Sequence, residues 1–323
     1  MTAIGGRIPA TRRPDALGVH SLDHFSFAVP DLARAADFYT SFGLQARNGG
    51  SRLDLHTFGS DHRWGCLTEG SHKQLGYLSF GIFPDDLGRF RAHLHKMSIE
   101  SVRSPPGLDT NNIWLHDPDG ILIELKIADK SSPNVKADFS SIISCDVGSR
   151  GAGFRGALGS VRPRRLAHVL VFVRNIANSV RFYSQVLGLR LSDEAGDGIA
   201  FMHGVHGSDH HMIALAKSEA PGFHHCSWDV GSIEDIGLGA MQMADRGFEA
   251  GWGLGRHVLG SNYFHYVRDP WGSYAEYSAD IDYIPVTMDW ESKSHSLENS
   301  FYLWGPNPPQ DFTRNYEVIE QGG

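Results

Sequence analysis

LDHFSFAVPDLARAADFYTSFGL (residues 22–44) recurs in looser form as LAHVLVFVRNIANSVRFYSQVLGL (residues 166–189). His24 and His168 stand 144 positions apart, and so do the pairs Phe38-Tyr39 and Phe182-Tyr183. A second echo closes each copy. WLHDPDGILIEL (114–125) matches YVRDPWGSYAEY (266–277), sharing D-P-x-G-x-x-x-E and ending on Glu124 and Glu276. Two matched ends at similar spacing point to an internal duplication.

Each copy can be read element by element. His168 to Val173 is an apolar, β-branched run and reads as a strand. Ile176, Val180, Tyr183 and Leu187 share one helical face, and Gly188 is a natural stop. Strands follow around 197–203 and 211–216, and another runs from His225 to Val230. Ser232-Ile-Glu-Asp235 is a near capping box that starts a helix through Met243, ending by Gly247. Strands at 262–267 and 273–278, joined by a D-P-W-G turn, finish the copy. The first copy keeps this order, with Asp31 as helix cap and Gly43 as stop.

The expected fold is therefore α+β, with two tandem domains over 18–128 and 165–285. Each would hold two β-α-β-β-β modules forming a curled mixed sheet with helices outside. Residues 129–164, rich in Ser, Gly and Arg, read as the linker. Residues 286–323 match neither copy and carry Trp290, Phe301, Tyr302 and Trp304, so they are expected to wrap onto the body as an extension.

Bulk properties narrow the partners. With 323 residues, 41% apolar and 20% charged, the chain has material for two ordinary cores. A net charge of −8 argues against nucleic acid or an anionic membrane, both of which reward a basic surface. No apolar run is long enough to span a bilayer. The N-terminal stretch lacks the apolar core of a secretory signal and reads as a loose arm. Three scattered cysteines, Cys66, Cys145 and Cys226, suggest reduced thiols in the cytoplasm. The anomaly is histidine, at 18 residues.

Several of these histidines fall at repeated strand positions. Alternate residues of a strand share a face. His225 should therefore face with Ser227 and Asp229, while Cys226, Trp228 and Val230 pack under the helices. Glu276 shares its face with Tyr274 and Ser278. In GFHHCSWDV (222–230), His224 is then expected on the opposite pleat, as a partly exposed neighbour.

Two imidazoles and a carboxylate, His168, His225 and Glu276, form the open donor set that favours Fe(II) and also accepts Mn(II). Zinc would fit only as an open site. A single histidine at a strand start is more often a core or rim residue, but three such groups at repeated positions shift that balance. The first copy keeps His24 and Glu124. Aligning Ser79 with Ser227 places Tyr77 where His225 stands, and a phenol is a poor third ligand, so no metal is expected there.

At this point the chain resembles the type I extradiol ring-cleavage dioxygenases of the vicinal oxygen chelate superfamily. These include catechol 2,3-dioxygenases and 2,3-dihydroxybiphenyl 1,2-dioxygenases. The likeness covers roughly residues 18–285 and is most specific in the second copy. It implies Fe(II), with Mn(II) as the alternative, in the C-terminal domain only. It also implies a catecholic substrate, O2, meta ring cleavage, a homo-oligomer and a cytoplasmic location.

By the same likeness His168, His225 and Glu276 match the metal ligands. In GRHVLGSNYFHYVRDPWGSYAEY (255–277), His257 matches a histidine near the substrate hydroxyls and Tyr266 a tyrosine beside the metal. In DHHMIAL (209–215), the family spacing selects His211 over His210 as the acid–base group on the O2 side. His211, His257 and Tyr266 are thus expected to bind substrate and to take part in catalysis. Two rival readings remain: a glyoxalase-like isomerase of the same superfamily, and a metal-free small-molecule binding protein with the same fold.

Overall fold

The computed structural model describes residues 10–140, 146–151, 153–155 and 158–318. The first half runs β1 (Ser21–Val29), α1 (Leu32–Ser41), β2 (Gln45–Asn48), β3 (Arg52–His56) and β4 (Arg63–Glu69). It continues through β5 (Gln74–Ile82), α2 (Asp86–Lys96), β6 (Ile113–His116) and β7 (Leu122–Ile127). Its second module therefore has one strand fewer than its first.

The second half repeats the order with β8 (Arg165–Val173), α3 (Ile176–Gln185), β9 (Leu189–Ala195), β10 (Ile199–Gly204), β11 (Ser208–Asp209) and β12 (Ile213–Lys217). Its second module is β13 (Gly222–Asp229), α4 (Ile233–Ala244), β14 (Gly251–His257), β15 (Tyr263–Arg268) and β16 (Tyr274–Ala279).

The two sheets share one plan. In the first, β1 pairs antiparallel with β5, and each has a parallel partner on its other side, β4 and β7. In the second, β8 and β13 form the antiparallel centre, with β12 and β16 as their parallel partners. Helix starts follow their caps: Asp31 Oδ1 accepts from Arg34 N, and Ser232 Oγ accepts from Asp235 N. Gly43 and Gly188, just past α1 and α3, take positive φ, which favours glycine at a helix stop.

One apolar core joins both halves. Phe223 stacks on Phe25 and Phe27, and Tyr277 stacks on Phe42 at 3.8 Å while donating to its carbonyl. The repeated F-Y and D-P-x-G motifs meet across this seam, where Tyr183 on α3 donates to Asp117 of the first half. In the pseudo-symmetric position, Tyr39 lies beside Asp269 and Cys226.

The described residues nearest the N-terminus are more tightly bound than expected. Thr11, Arg12 and Arg13 are not loose: they bond to Asn134, His206, Asp85 and Asp86, while residues 1–9 lie outside the described residues. The extension after Asp282 enters the sheets. Strand β17 (Tyr283–Ile284) pairs with β11, β18 (Lys293–His295) with β9, and β19 (Tyr302–Trp304) with β14. Cys66 and Cys226 are free and buried, and Cys145 lies outside the described residues. Among the described residues, no helix is long and apolar enough to cross a membrane.

Candidate metal centre

Three neighbouring strands, β8, β13 and β16, carry His168, His225 and Glu276. Ser227 lies opposite both His168 and Glu276 in the ladder, which places those two on the same level. His225 Nε2 is 3.3 Å from His168 Nε2 and 3.8 Å from Glu276 Oε2, and His168 Nε2 is 3.3 Å from that same oxygen. A circle through three such points has a radius of about 2.0 Å, so one ion near their plane reaches all three at ordinary metal–ligand length.

The remaining bonds support that fit. Glu276 Oε2 is buried with no hydrogen-bond partner, an arrangement that is costly unless something else satisfies it. Its other oxygen accepts from Asn262 Nδ2 at 3.1 Å, which orients the carboxylate. Burial, reinforced by neighbouring imidazoles, holds His225 well below the ordinary imidazole range, so the ring is neutral and able to ligate.

The first half serves as an internal comparison. Ser79 lies opposite both His24 and Glu124, the same register as Ser227. There, however, Ser79 donates to Glu124 Oε2 at 2.6 Å, and His24 Nε2 meets Tyr77 Oη at 3.0 Å and Arg63 Nη2 at 3.1 Å. The groups that converge in the second half are satisfied by protein atoms in the first.

The flanks hold the other expected residues. His211 is buried against His168, with ring centroids 4.1 Å apart. Burial, then His168, keeps its ring well below the usual imidazole range. On the opposite flank His257 Nε2 meets Tyr266 Oη at 2.9 Å and lies 3.8 Å from Glu276 Oε1. His257 Nδ1 sits 2.8 Å from the Phe301 carbonyl, which can only accept, so Nδ1 carries the proton and Nε2 accepts from Tyr266. Burial and nearby Glu276 raise the Tyr266 phenol well above its ordinary range and keep it protonated.

His224 departs from expectation. It is buried and lines the cavity instead of sitting half-exposed on the far pleat. The ladder slips between Phe223 and His225, and this β-bulge breaks the strict alternation of faces. His224 Nδ1 lies 2.7 Å from His225 Nδ1, and its Nε2 lies 2.6 Å from the Phe312 carbonyl.

The other doublet is built in a similar way. His210 Nδ1 is 3.0 Å from His211 Nδ1, and His210 Nε2 is 2.9 Å from Asp193 Oδ2. The strand expected from 211 begins only at Ile213, because His210 N turns away to bond Asp282 O. Gly260, at φ +88°, presses on this corner: a Cβ there would stand 3.3 Å from His211 Cε1.

A cavity of about 360 Å³ opens over these groups. Leu170, Phe172, Ile199, Phe201 and Ala214 form its sheet wall, and Leu297, Phe301 and Phe312 of the extension close the other side. Among the described lining residues the one cation apart from the histidines is Lys217, which is paired with Asp197. Sequence reasoning missed Asn262 and the two carbonyls of the extension. A buried asparagine has no distinctive pattern, and a backbone carbonyl has no residue identity to read.

The profile of the Glyoxalase/Bleomycin resistance protein/Dioxygenase superfamily matches residues 21–125 and 165–277. Metapyrocatechase 2 of Cupriavidus necator is 46% identical over 311 residues, covering 96% of each chain. The chain belongs to the extradiol ring-cleavage dioxygenases of this superfamily. A manganese-dependent 2,3-dihydroxybiphenyl 1,2-dioxygenase from Geobacillus genomosp. 3 is 23% identical over 303 residues, covering 88% of this chain and 93% of that one. A variant of homoprotocatechuate 2,3-dioxygenase from Brevibacterium fuscum shares the fold of this dioxygenase, with a TM-score of 0.75, 19% identity and coverage of 98% and 87%. His168, His225 and Glu276 are its divalent metal site.

Proposed function

We propose that this dioxygenase cleaves neutral, apolar-substituted catechols beside their two hydroxyls, using Fe(II), with Mn(II) as the alternative ion. The observation that carries the reading is the convergence of His168, His225 and Glu276 on one point, with the cavity on its open side. Bound there, the ion supplies the open coordination positions at which both catechol oxygens and O2 meet. Two neutral imidazoles and one carboxylate leave a divalent ion a net charge of +1, which favours a singly deprotonated catechol.

The surrounding groups fit named roles. His257, whose Nδ1 proton is held by the Phe301 carbonyl, has an unprotonated Nε2 that exchanges the Tyr266 bond for one substrate hydroxyl and takes its proton. Tyr266 remains a donor and orients the oxygen beside it. His211, on the His168 flank, is the acid–base group for the O2 side. The apolar walls seat the ring. Among the described cavity residues no free cation stands ready for an acidic substituent, and burying an unpaired carboxylate is costly.

The test is direct. Protein loaded anaerobically with Fe(II), then given 4-methylcatechol and O2, should turn yellow as a ring-opened semialdehyde accumulates, and His225→Ala should neither hold iron nor colour. A colourless mixture across a panel of catechols, with iron fully bound, would transfer the case to an isomerase or a binding protein.

A further inference from the structure

The C-terminal segment reaches the ligand His225 through one intermediary, His224. The Phe312 carbonyl lies 2.6 Å from His224 Nε2, and a carbonyl only accepts, so Nε2 carries a proton and donates. His224 Nδ1 faces His225 Nδ1 at 2.7 Å, and two bare nitrogens or two N–H groups would repel there. If the proton of that bond belonged to His224, His225 would hold its own proton on Nε2 and have no lone pair for a cation. It therefore belongs to His225, and His225 Nε2 is bare. That atom is the one 3.3 Å from His168 Nε2.

We propose that His224 is a positioning residue: held by the Phe312 carbonyl, it locks His225 in the Nδ1–H tautomer and fixes the aim of its Nε2 lone pair. Outer partners of this kind set both the orientation and the basicity of a ligating imidazole. The bulge in β13 makes the arrangement possible, because it lets two successive histidines lie along one cavity wall.

The segment that supplies the carbonyl is itself tied to the same strand. Glu317 accepts from Phe223 N and Leu75 N, both at 2.8 Å, and pairs with the buried Lys73 at 3.2 Å. Asn315 Nδ2 donates to Ala220 O at 2.9 Å. A Cβ on Gly222 would stand 2.5 Å from Asn315 Oδ1, so the strand and the segment are in closest packing beside His224.

The inference rests on the metal centre and is tested by metal retention, not by turnover. Fe(II) affinity is measured by competition with a chelator under argon for wild type, His224→Phe, His224→Asn and His224→Gln. Asparagine presents an acceptor near the lost Nδ1, whereas glutamine reaches toward Phe312 and leaves His225 without an acceptor. Affinity should fall about 10–100-fold in the Phe and Gln variants and stay within about threefold in the Asn variant. Equal affinity in the Asn and Gln variants, whether strong or weak, overturns the proposal, and that pair decides even if the Phe variant does not fold. Wild type that holds Fe(II) tightly yet cleaves no catechol would refute the proposed reaction and leave this test intact.

Discussion

The phenol of Tyr183 donates to Asp117 Oδ2 of the other half at 3.3 Å, and both residues are buried. Asp117 Oδ1 also accepts from Asp119 N and Ile121 N, so the carboxyl group organises its own turn while tethering the second half. Burial outweighs these bonds and raises its pKa to about 6.

That shift has a definite sign. The folded value lies above the ordinary carboxyl value of 3.8, so the neutral form is favoured by folding. Its contribution is complete below about pH 4 and is lost as pH rises through about 6, a change on the order of 3 kcal/mol. Asp117→Asn keeps an acceptor for both backbone amides and does not titrate. Relative to wild type, the variant should therefore gain up to that amount of stability in urea unfolding between about pH 4 and 6.

His211→Asn should hold Fe(II) as wild type does while kcat falls by about 10²- to 10⁴-fold, the usual worth of a positioned acid–base group. Iron content and steady-state kinetics on one preparation check this. Unchanged kcat would remove His211 from the chemistry.

Asn262→Ala should weaken Fe(II) binding about 10–100-fold without abolishing it, because Glu276 Oε1 loses the donor that orients it. Chelator competition reads the effect. An affinity equal to wild type would make Asn262 a bond to Ser278 and nothing more.

A catechol bearing a carboxylate should be a poorer substrate than 4-methylcatechol by at least about tenfold in kcat/KM, since about 1.4 kcal/mol of uncompensated desolvation already costs that much. Rates on 4-methylcatechol and 3,4-dihydroxyphenylacetate compare the two. Equal values would mean that Lys217 leaves Asp197 to serve the acid.

Much of this was legible in the residues themselves. His24 and His168, Glu124 and Glu276, and Ser79 and Ser227 are single letters at repeated positions, and the ladder sets them in matching register because both halves use the same strand order. The misreading of His224 has a physical cause: alternation assumes an unbroken pleat, and one slipped residue between Phe223 and His225 cancels it. The contributions of Phe301 and Phe312 were hidden for another reason. They act through main-chain oxygens brought in from far along the chain, which no local pattern encodes.

Arg63 stands two residues before Gly65, as His211 stands two before Ile213, so the two occupy equivalent places in their halves. The first half thus carries a positive charge covalently attached where its twin relies on an ion gathered from the surroundings. When that mineral is scarce, only the twin loses its ballast, and the strands bearing His168, His225 and Glu276 are where such deprivation would first be felt.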